Sequence, residues 1–469
     1  MKMREGMLKA LLIAVLAAEI GLINIPVSIA ATTEETLYKF KGGAKDGANP
    51  GGVVMLADGS LLGTTGSGGG GCTAGCGVLF QLVPPSQGAS SWTEKVLYHF
   101  SQSENINPTG LTLSKSGSLY GVTVEGAGLG SVFKVERPKS VNSGWTVTTI
   151  FRFGDNAGGL GSYPRGAVVE DTSGNLYGTA GGGYTCGYYP PGQNPFPIPI
   201  QCGIVYKLSP PSGNNSTWTE TDLYSFKGNS NDGDLPGDLI IGRSGELYGV
   251  TQAGGRGCPY IANSNLFRGC GTVFRLSPPS AGRSKWTETI LHFFAGGPSD
   301  GANPIAALIL DSNGNLFGSA SDGYTTQNTP QGGGGVFELS PPASGKQTWL
   351  ETTLWKFEQI VNGQIDSRGG YPYEQLTLGE GRILYGTTLL AGGNTSSGVV
   401  FALNPPAKGK TSWTETVLHA FTNTDGAGPQ GPGMIFDKKT GNLFGAAPGG
   451  GIGTAGGFGG NGVVFEISP

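Results

Sequence analysis

Histidine is almost missing from this chain: 469 residues carry three, His99, His292 and His419. Charge is scarce as well. Lys and Arg number 29 against 33 Asp and Glu, and 13% of residues are charged, which excludes the basic footprint that nucleic acid or an anionic membrane surface requires. After residue 30 no apolar run reaches the length needed to span a bilayer. No segment beyond that point keeps a helical period either, so a helical bundle is excluded.

What is present begins with a leader. Lys2, Arg4 and Lys9 precede an apolar run from Ala10 to Ala30, with Ser28 and Ala30 at the −3 and −1 positions of a cleavage site. This predicts a secretory signal peptide over residues 1–30 and export of the remainder. The 86 glycines follow no triplet period and fall between short runs of Val, Ile, Leu, Thr, Tyr and Phe. That is the composition of a turn-dense β protein.

The runs repeat. A pattern of Pro-x-x-x-Leu, x-Gly-x-Leu-Tyr-Gly, Gly-Val-Phe and Trp-Thr-Glu-Thr-x-Leu-x-x-Phe recurs from end to end. Its glycine stands at Gly63, Gly121, Gly178, Gly249, Gly318, Gly386 and Gly445, and its Val-Phe aromatic at Phe80, Phe133, Tyr206, Phe274, Phe337, Phe401 and Phe465. Seven copies are thus counted twice. Successive glycines are 58, 57, 71, 69, 68 and 59 residues apart, so the connecting loops absorb the variation.

Each copy holds four strand-like runs, A to D, which suits an antiparallel propeller blade. The repeat is out of phase with the chain. Thr33 to Phe40 matches a D strand (compare Thr414 to Phe421), while the chain ends on a C strand, Val463 to Ile467. The predicted fold is an all-β, seven-bladed β-propeller over residues 31–469, its last blade closed by the N-terminal strand. The blades span 48–100, 107–153, 163–226, 235–294, 303–357, 371–421 and 428–469 plus 33–40. A parallel β-solenoid is the competing architecture, but it does not explain a repeat broken between C and D.

Gly174 to Ala180, Gly398 to Pro406 and Trp413 to Phe421 resemble the GloVer tandem repeat of the "choice-of-anchor" family of exported bacterial proteins. The resemblance implies no activity and no catalytic residues. Members of that family often carry an anchoring signal, and none is visible here, so a secreted or periplasmic protein is expected.

Six cysteines fall as Cys72 with Cys76, Cys186 with Cys202 and Cys258 with Cys270, each pair inside one B to C loop. In an exported protein, local disulfides are expected; a four-cysteine zinc site between blades three and four is the alternative. Trp92, Trp145, Trp218, Trp286, Trp349 and Trp413 stand where strand D begins. One Trp per repeat at one register reads as packing between blades, with a sugar-stacking platform as the alternative. The three histidines sit on D strands of separate blades and cannot converge, which removes a Ser-His-Asp triad.

Asp46, Asp232, Asp300 and Asp425 precede strand A in Asp-Gly segments, and Glu104 takes the same place in blade two. Asp-Gly followed by Pro is turn chemistry. The same acids are also the candidate ligand or cation set, expected at the mouth of the central channel, with Ca2+ as the ion such oxygens would take and no other cofactor. In an up-and-down blade the D to A and B to C connections share one face, so acids, cysteines and long insertions gather there. The leading functional reading is a monomeric binding module presenting that face to a polysaccharide, a peptide or a surface protein. The alternatives are a metal-assisted hydrolase or lyase and a structural cell-surface protein.

Overall fold

The computed structural model describes residues 32–469 apart from short loop segments, the longest being 155–161, 189–198, 259–268, 326–331 and 391–396. The leader lies outside the described residues. No described helix is long and apolar enough to cross a membrane.

Seven antiparallel sheets form a propeller. In blade three the order from the channel outward is A (Pro164–Glu170), B (Leu176–Ala180), C (Ile204–Ser209) and D (Thr219–Ser225). Blade six has its inner strand split into Gly370–Pro372 and Thr377–Leu378. In blade seven the outer strand is the N-terminal segment Thr33–Lys39. It runs antiparallel to Val463–Ser468, with Thr36 opposite Phe465 and Lys39 opposite Val463. The out-of-phase repeat therefore closes the ring.

The repeated residues explain how a blade is held. The glycine of strand B faces the aromatic of strand C: Gly249 is paired with Phe274, Gly318 with Phe337 and Gly63 with Phe80. A Cβ on any of the seven strand B glycines would lie 2.3–2.6 Å from the tip of that ring, so only glycine fits beneath it. The ring is then met edge-on by the last Phe of the preceding blade. Phe40–Phe80, Phe100–Phe133, Phe153–Tyr206, Phe226–Phe274, Phe294–Phe337, Phe357–Phe401 and Phe421–Phe465 all have centroids 5.0–5.3 Å apart in T-shaped contacts, the geometry that the aromatic quadrupole favours.

The Leu-x-x-Phe spacing of strand D follows from the same contact. Residues three apart on a regular strand face opposite sides. Here a bulge falls at the leucine, seen as a register shift between Thr36 and Tyr38 or between Val205 and Tyr206. It restores both apolar residues to one face: Leu37 and Phe40 are both buried, as are Leu223 and Phe226.

The hydrophobic cores accordingly lie between blades. One cluster joins Phe226 and Leu223 of blade three to Phe274 and Leu247 of blade four, and the seam cluster joins Phe40, Phe444 and Val464 of blade seven to Phe80 and Leu61 of blade one. The tryptophans belong to these junctions. Trp92 packs on Phe444, Trp286 on Tyr177 and Trp349 on Tyr248, each on the preceding blade.

Disulfides Cys72–Cys76 and Cys258–Cys270 close within their own loops, with Cα atoms 5.6 and 5.0 Å apart. Cys202 is also disulfide-bonded, while the side chain of Cys186 lies outside the described residues. With these thiols oxidised, the four-cysteine zinc alternative falls away.

If the seam is an ordinary junction, Phe40→Ala and Phe226→Ala should cost the same, about 3–5 kcal/mol each for deleting a buried Phe. Equilibrium urea unfolding measures both. A Phe40→Ala cost under about 1 kcal/mol beside a full Phe226→Ala cost would show that the N-terminal strand is not part of the ring.

Candidate functional site

The acids preceding strand A are engaged with their own turns. Asp46 accepts from the backbone N–H groups of Lys41 at 2.8 Å and Gly47 at 2.7 Å and from the Tyr38 hydroxyl at 3.0 Å. Asp232 repeats this with Lys227 N–H, Gly233 N–H and Tyr224 Oη at 2.9, 2.7 and 3.1 Å. Asp300 accepts from Ala295 N–H and Gly301 N–H, and Asp425 from Thr422 N–H. Glu104 lies outside the described residues.

The sequence places these acids at the channel mouth; the structure places them at the outer strands. The acid is still bonded to residues at the end of the preceding strand D. The proline that reaches the channel stands four residues further on, at most about 13 Å of chain. The turn chemistry thus holds the acids at the rim.

There they build a recurring junction. The residue after the strand D leucine (Tyr38, Tyr224, His292 or His419) meets the turn aspartate, and a glutamate from the next blade's outer strand (Glu94, Glu288, Glu351 or Glu34) completes the group. At blades three and four, Tyr224 Oη lies 3.1 Å from Asp232 and 2.7 Å from Glu288. A hydroxyl has one proton to give, so a carboxyl must supply the other. Burial first and the Asp232 charge second push Glu288 up to about 8, and burial raises Asp232 as well; the pair shares the proton, chiefly on Glu288, because Asp232 already accepts from two backbone N–H groups. Burial and Asp46 push Glu94 up to about 7.

The channel itself is built by strand A. A residue in left-handed backbone precedes each proline: Asn49, Asn107, Tyr163, Leu235, Asn303 and Tyr371 have φ between 54° and 60°, and Gly428 stands in the seventh place at 55°. Because it recurs in every blade, this costly conformation belongs to the frame. A bulge follows, with register shifts between Pro50 and Val53, Pro108 and Leu111, and Pro236 and Leu239. It turns the two residues after the proline toward the axis.

The first of those two positions forms a ring of Gly51, Thr109, Arg165, Gly237, Ile305, Tyr373 and Gln430, all lining one cavity of about 640 Å³. Asn49, Asn107, the half-exposed Tyr163 and Asp238 line it too. At the second position stand small residues except for Asp238 and Glu374. Burial pushes Asp238 up to about 6, against a backbone hydrogen bond from Ala167, and pushes Glu374 up to about 7. Arg165 is the cation of the lining, facing Asp234 and Tyr373. Gly166 beside it has left-handed backbone, with φ of 60°, and a Cβ there would displace the Asp238 carboxylate.

Sequence reasoning missed this ring because it followed what the repeats share. The usable signal was the reverse: Pro-x-x, a fixed proline followed by two positions that vary from copy to copy.

The architecture is that of a seven-bladed β-propeller whose inner strands line a cavity at the axis. The chain belongs to the family of the Gloeobacter/Verrucomicrobia repeat, whose model matches residues 25–258 and 257–469. No curated protein matches it in sequence.

Among solved structures it is similar to the periplasmic gluconolactonase of Pseudomonas aeruginosa, at 15% identity over 90% of this chain and 99% of that one, with a TM-score of 0.43. It is also similar to a surface component of the type-IX secretion system of Porphyromonas gingivalis, at 12% identity over 88% of this chain and 46% of that one, with a TM-score of 0.45. A putative 6-phosphogluconolactonase from Bacteroides uniformis gives 11% identity over 85% and 89%, with a TM-score of 0.44.

The raised Glu288 pKa has a sign that can be measured. The folded chain holds a proton that the unfolded chain has released above the ordinary glutamate range, so stability falls as pH rises from that range toward 8. Glu288→Gln keeps the hydrogen bonding of the protonated form. The variant should match the parent near pH 5 and exceed it near pH 8 in urea unfolding; equal stability at pH 8 would show that Glu288 is not held protonated.

Proposed function

We infer that the protein is an extracytoplasmic binding module that takes a small polar ligand, or the end of a polysaccharide chain, at the mouth of its central channel. The observation that carries this reading is the ring after the proline: seven equivalent positions in a repeated frame, with mostly unlike side chains at the axis. A ring serving only to pack or to hold a symmetric ion has no use for one arginine, one tyrosine and one glutamine.

The dimensions favour a small ligand over a folded partner. A cavity of about 640 Å³ falls within the range of small-molecule sites, roughly 300–1,000 Å³. Arg165 offers a fork for a carboxylate, and the Tyr163 and Tyr373 rings offer faces on which a sugar can stack. The disulfides Cys72–Cys76 and Cys258–Cys270 support an oxidising address outside the cytoplasm.

Asp238 and Glu374 support a second reading. Carboxyls whose pKa burial raises toward neutrality are suited to general acid and base roles, so a hydrolase or lyase working at the same mouth would use Asp238, which lines the cavity.

A thermal-shift screen of neutral and acidic saccharides tests the site, because a ligand that binds only the folded state raises Tm. An acidic saccharide should stabilise the parent. Arg165→Ala should weaken its binding by about tenfold or more, the scale of one charged hydrogen bond, while Asp46→Asn leaves it unchanged. Binding that survives both Arg165→Ala and Tyr373→Ala would remove the channel mouth as the site, and product formation lost in Asp238→Asn would favour the enzyme.

A further inference from the structure

The rim junctions are built alike, yet His292 and His419 stand at two of them where Tyr38 and Tyr224 stand at others. In the tyrosine form the hydroxyl donates to the turn aspartate at 3.0 Å (Tyr38 to Asp46) or 3.1 Å (Tyr224 to Asp232). In the form at blades six and seven the donor is replaced by an imidazole nitrogen. His419 Nε2 lies 3.3 Å from Asp425 Oδ2 and is shielded from solvent. Across the junction stands Glu34 of the N-terminal strand. Ligand atoms of Glu34, His419 and Asp425 all fall within 4.8 Å of one another, the only such set among the described residues.

The geometry points to a divalent transition-metal site, of the class that zinc occupies, formed by Glu34, His419 and Asp425 where blade six meets the N-terminal strand that closes the ring. Tetrahedral coordination with bonds of about 2.0–2.1 Å separates neighbouring ligand atoms by about 3.3 Å, which is the spacing already present between His419 Nε2 and Asp425 Oδ2. Asp425 is held in place through its other oxygen by Thr422 N–H at 2.8 Å. Thr36 Oγ1 donates to Glu34 Oε1 at 2.9 Å, leaving Oε2 as the ligand. The neighbouring cation, Lys39, is turned to the Thr424 carbonyl at 2.6 Å.

One imidazole with two carboxylates selects for a borderline cation and against calcium, which takes oxygen ligands alone. The three protein ligands leave a fourth position for water. Bound there, the ion ties the outer strand of blade six to the N-terminal strand that completes blade seven. The site stands apart from the channel mouth, so neither depends on the other.

Chelator-treated protein titrated with Zn2+ by calorimetry and thermal scanning tests the assignment. Saturable binding of one zinc per chain and a rise in Tm are expected, with no rise for Ca2+. His419→Tyr converts the junction to the tyrosine form used elsewhere in this ring. It should fold and lose the zinc response, as should Glu34→Gln, while His292→Tyr retains it. Absence of saturable zinc binding in the parent, zinc binding undiminished in His419→Tyr and Glu34→Gln, or a calcium response lost in those variants would overturn the site.

Discussion

The structure depends on one contact: the final Phe of each blade's outer strand set edge-on against the third-strand aromatic of the next blade, over a glycine. With seven such contacts at 5.0–5.3 Å, no blade owns a complete core. Each must bury its outer strand's apolar face on its neighbour, and the chain gains that burial only by forming a ring. The glycine makes room for the ring tip, the bulge at the strand D leucine puts Leu and Phe on one side, and the tryptophan seals the other end of the junction. Closure by the N-terminal strand follows, because Phe40 and Phe421 make the same contact on either side of blade seven.

A frame fixed in this way leaves other positions free. The two residues after the strand A proline are held by a bulge toward the axis, where neither the aromatic contact nor the cores constrain their identity. They differ from blade to blade, which makes a seven-fold scaffold into a mouth with one arginine, one tyrosine and one glutamine in its ring. The turn acids have the opposite history. Their carboxylates are committed to three hydrogen bonds at Asp46 and Asp232, and that commitment fixes the crossing from one blade to the next.

The sequence made the frame legible and the site illegible for related physical reasons. Gly63 to Gly445, Phe80 to Phe465 and the misplaced D strand at Thr33 to Phe40 recur because packing demands them, so counting what recurs found seven blades and their closure. The same method ranked Asp46, Asp232, Asp300 and Asp425 as a channel ring, since they too recur. It could not see that left-handed residues such as Asn49 and Asn303 lie between those acids and the axis, because a positive φ at Asn or Leu leaves no periodic trace. Arg165, Tyr373, Asp238 and Glu374 were passed over for the reason that matters to function: nothing in the repeat resembles them.

Substitution within the rim junctions shows how such a ring acquires chemistry. Tyrosine and histidine both fill the slot after the strand D leucine, and both stand edge-on to the Phe two residues later, at 5.1 Å for Tyr224–Phe226 and 4.9 Å for His419–Phe421. Packing cannot tell them apart. The polar end can, because a hydroxyl brings a proton to the aspartate, whereas an imidazole brings either a proton or a lone pair. The junction of blade six with the N-terminal strand is where that difference has most effect, since its two sides lie far apart in the chain. Local opening there exposes the strand edge at Val463–Ser468 and frees the contacts at Phe40 together. A ligand or ion held across that junction therefore acts on the step that separates a closed ring from an open one, while the same group at an interior junction would only tighten blades that the chain already connects.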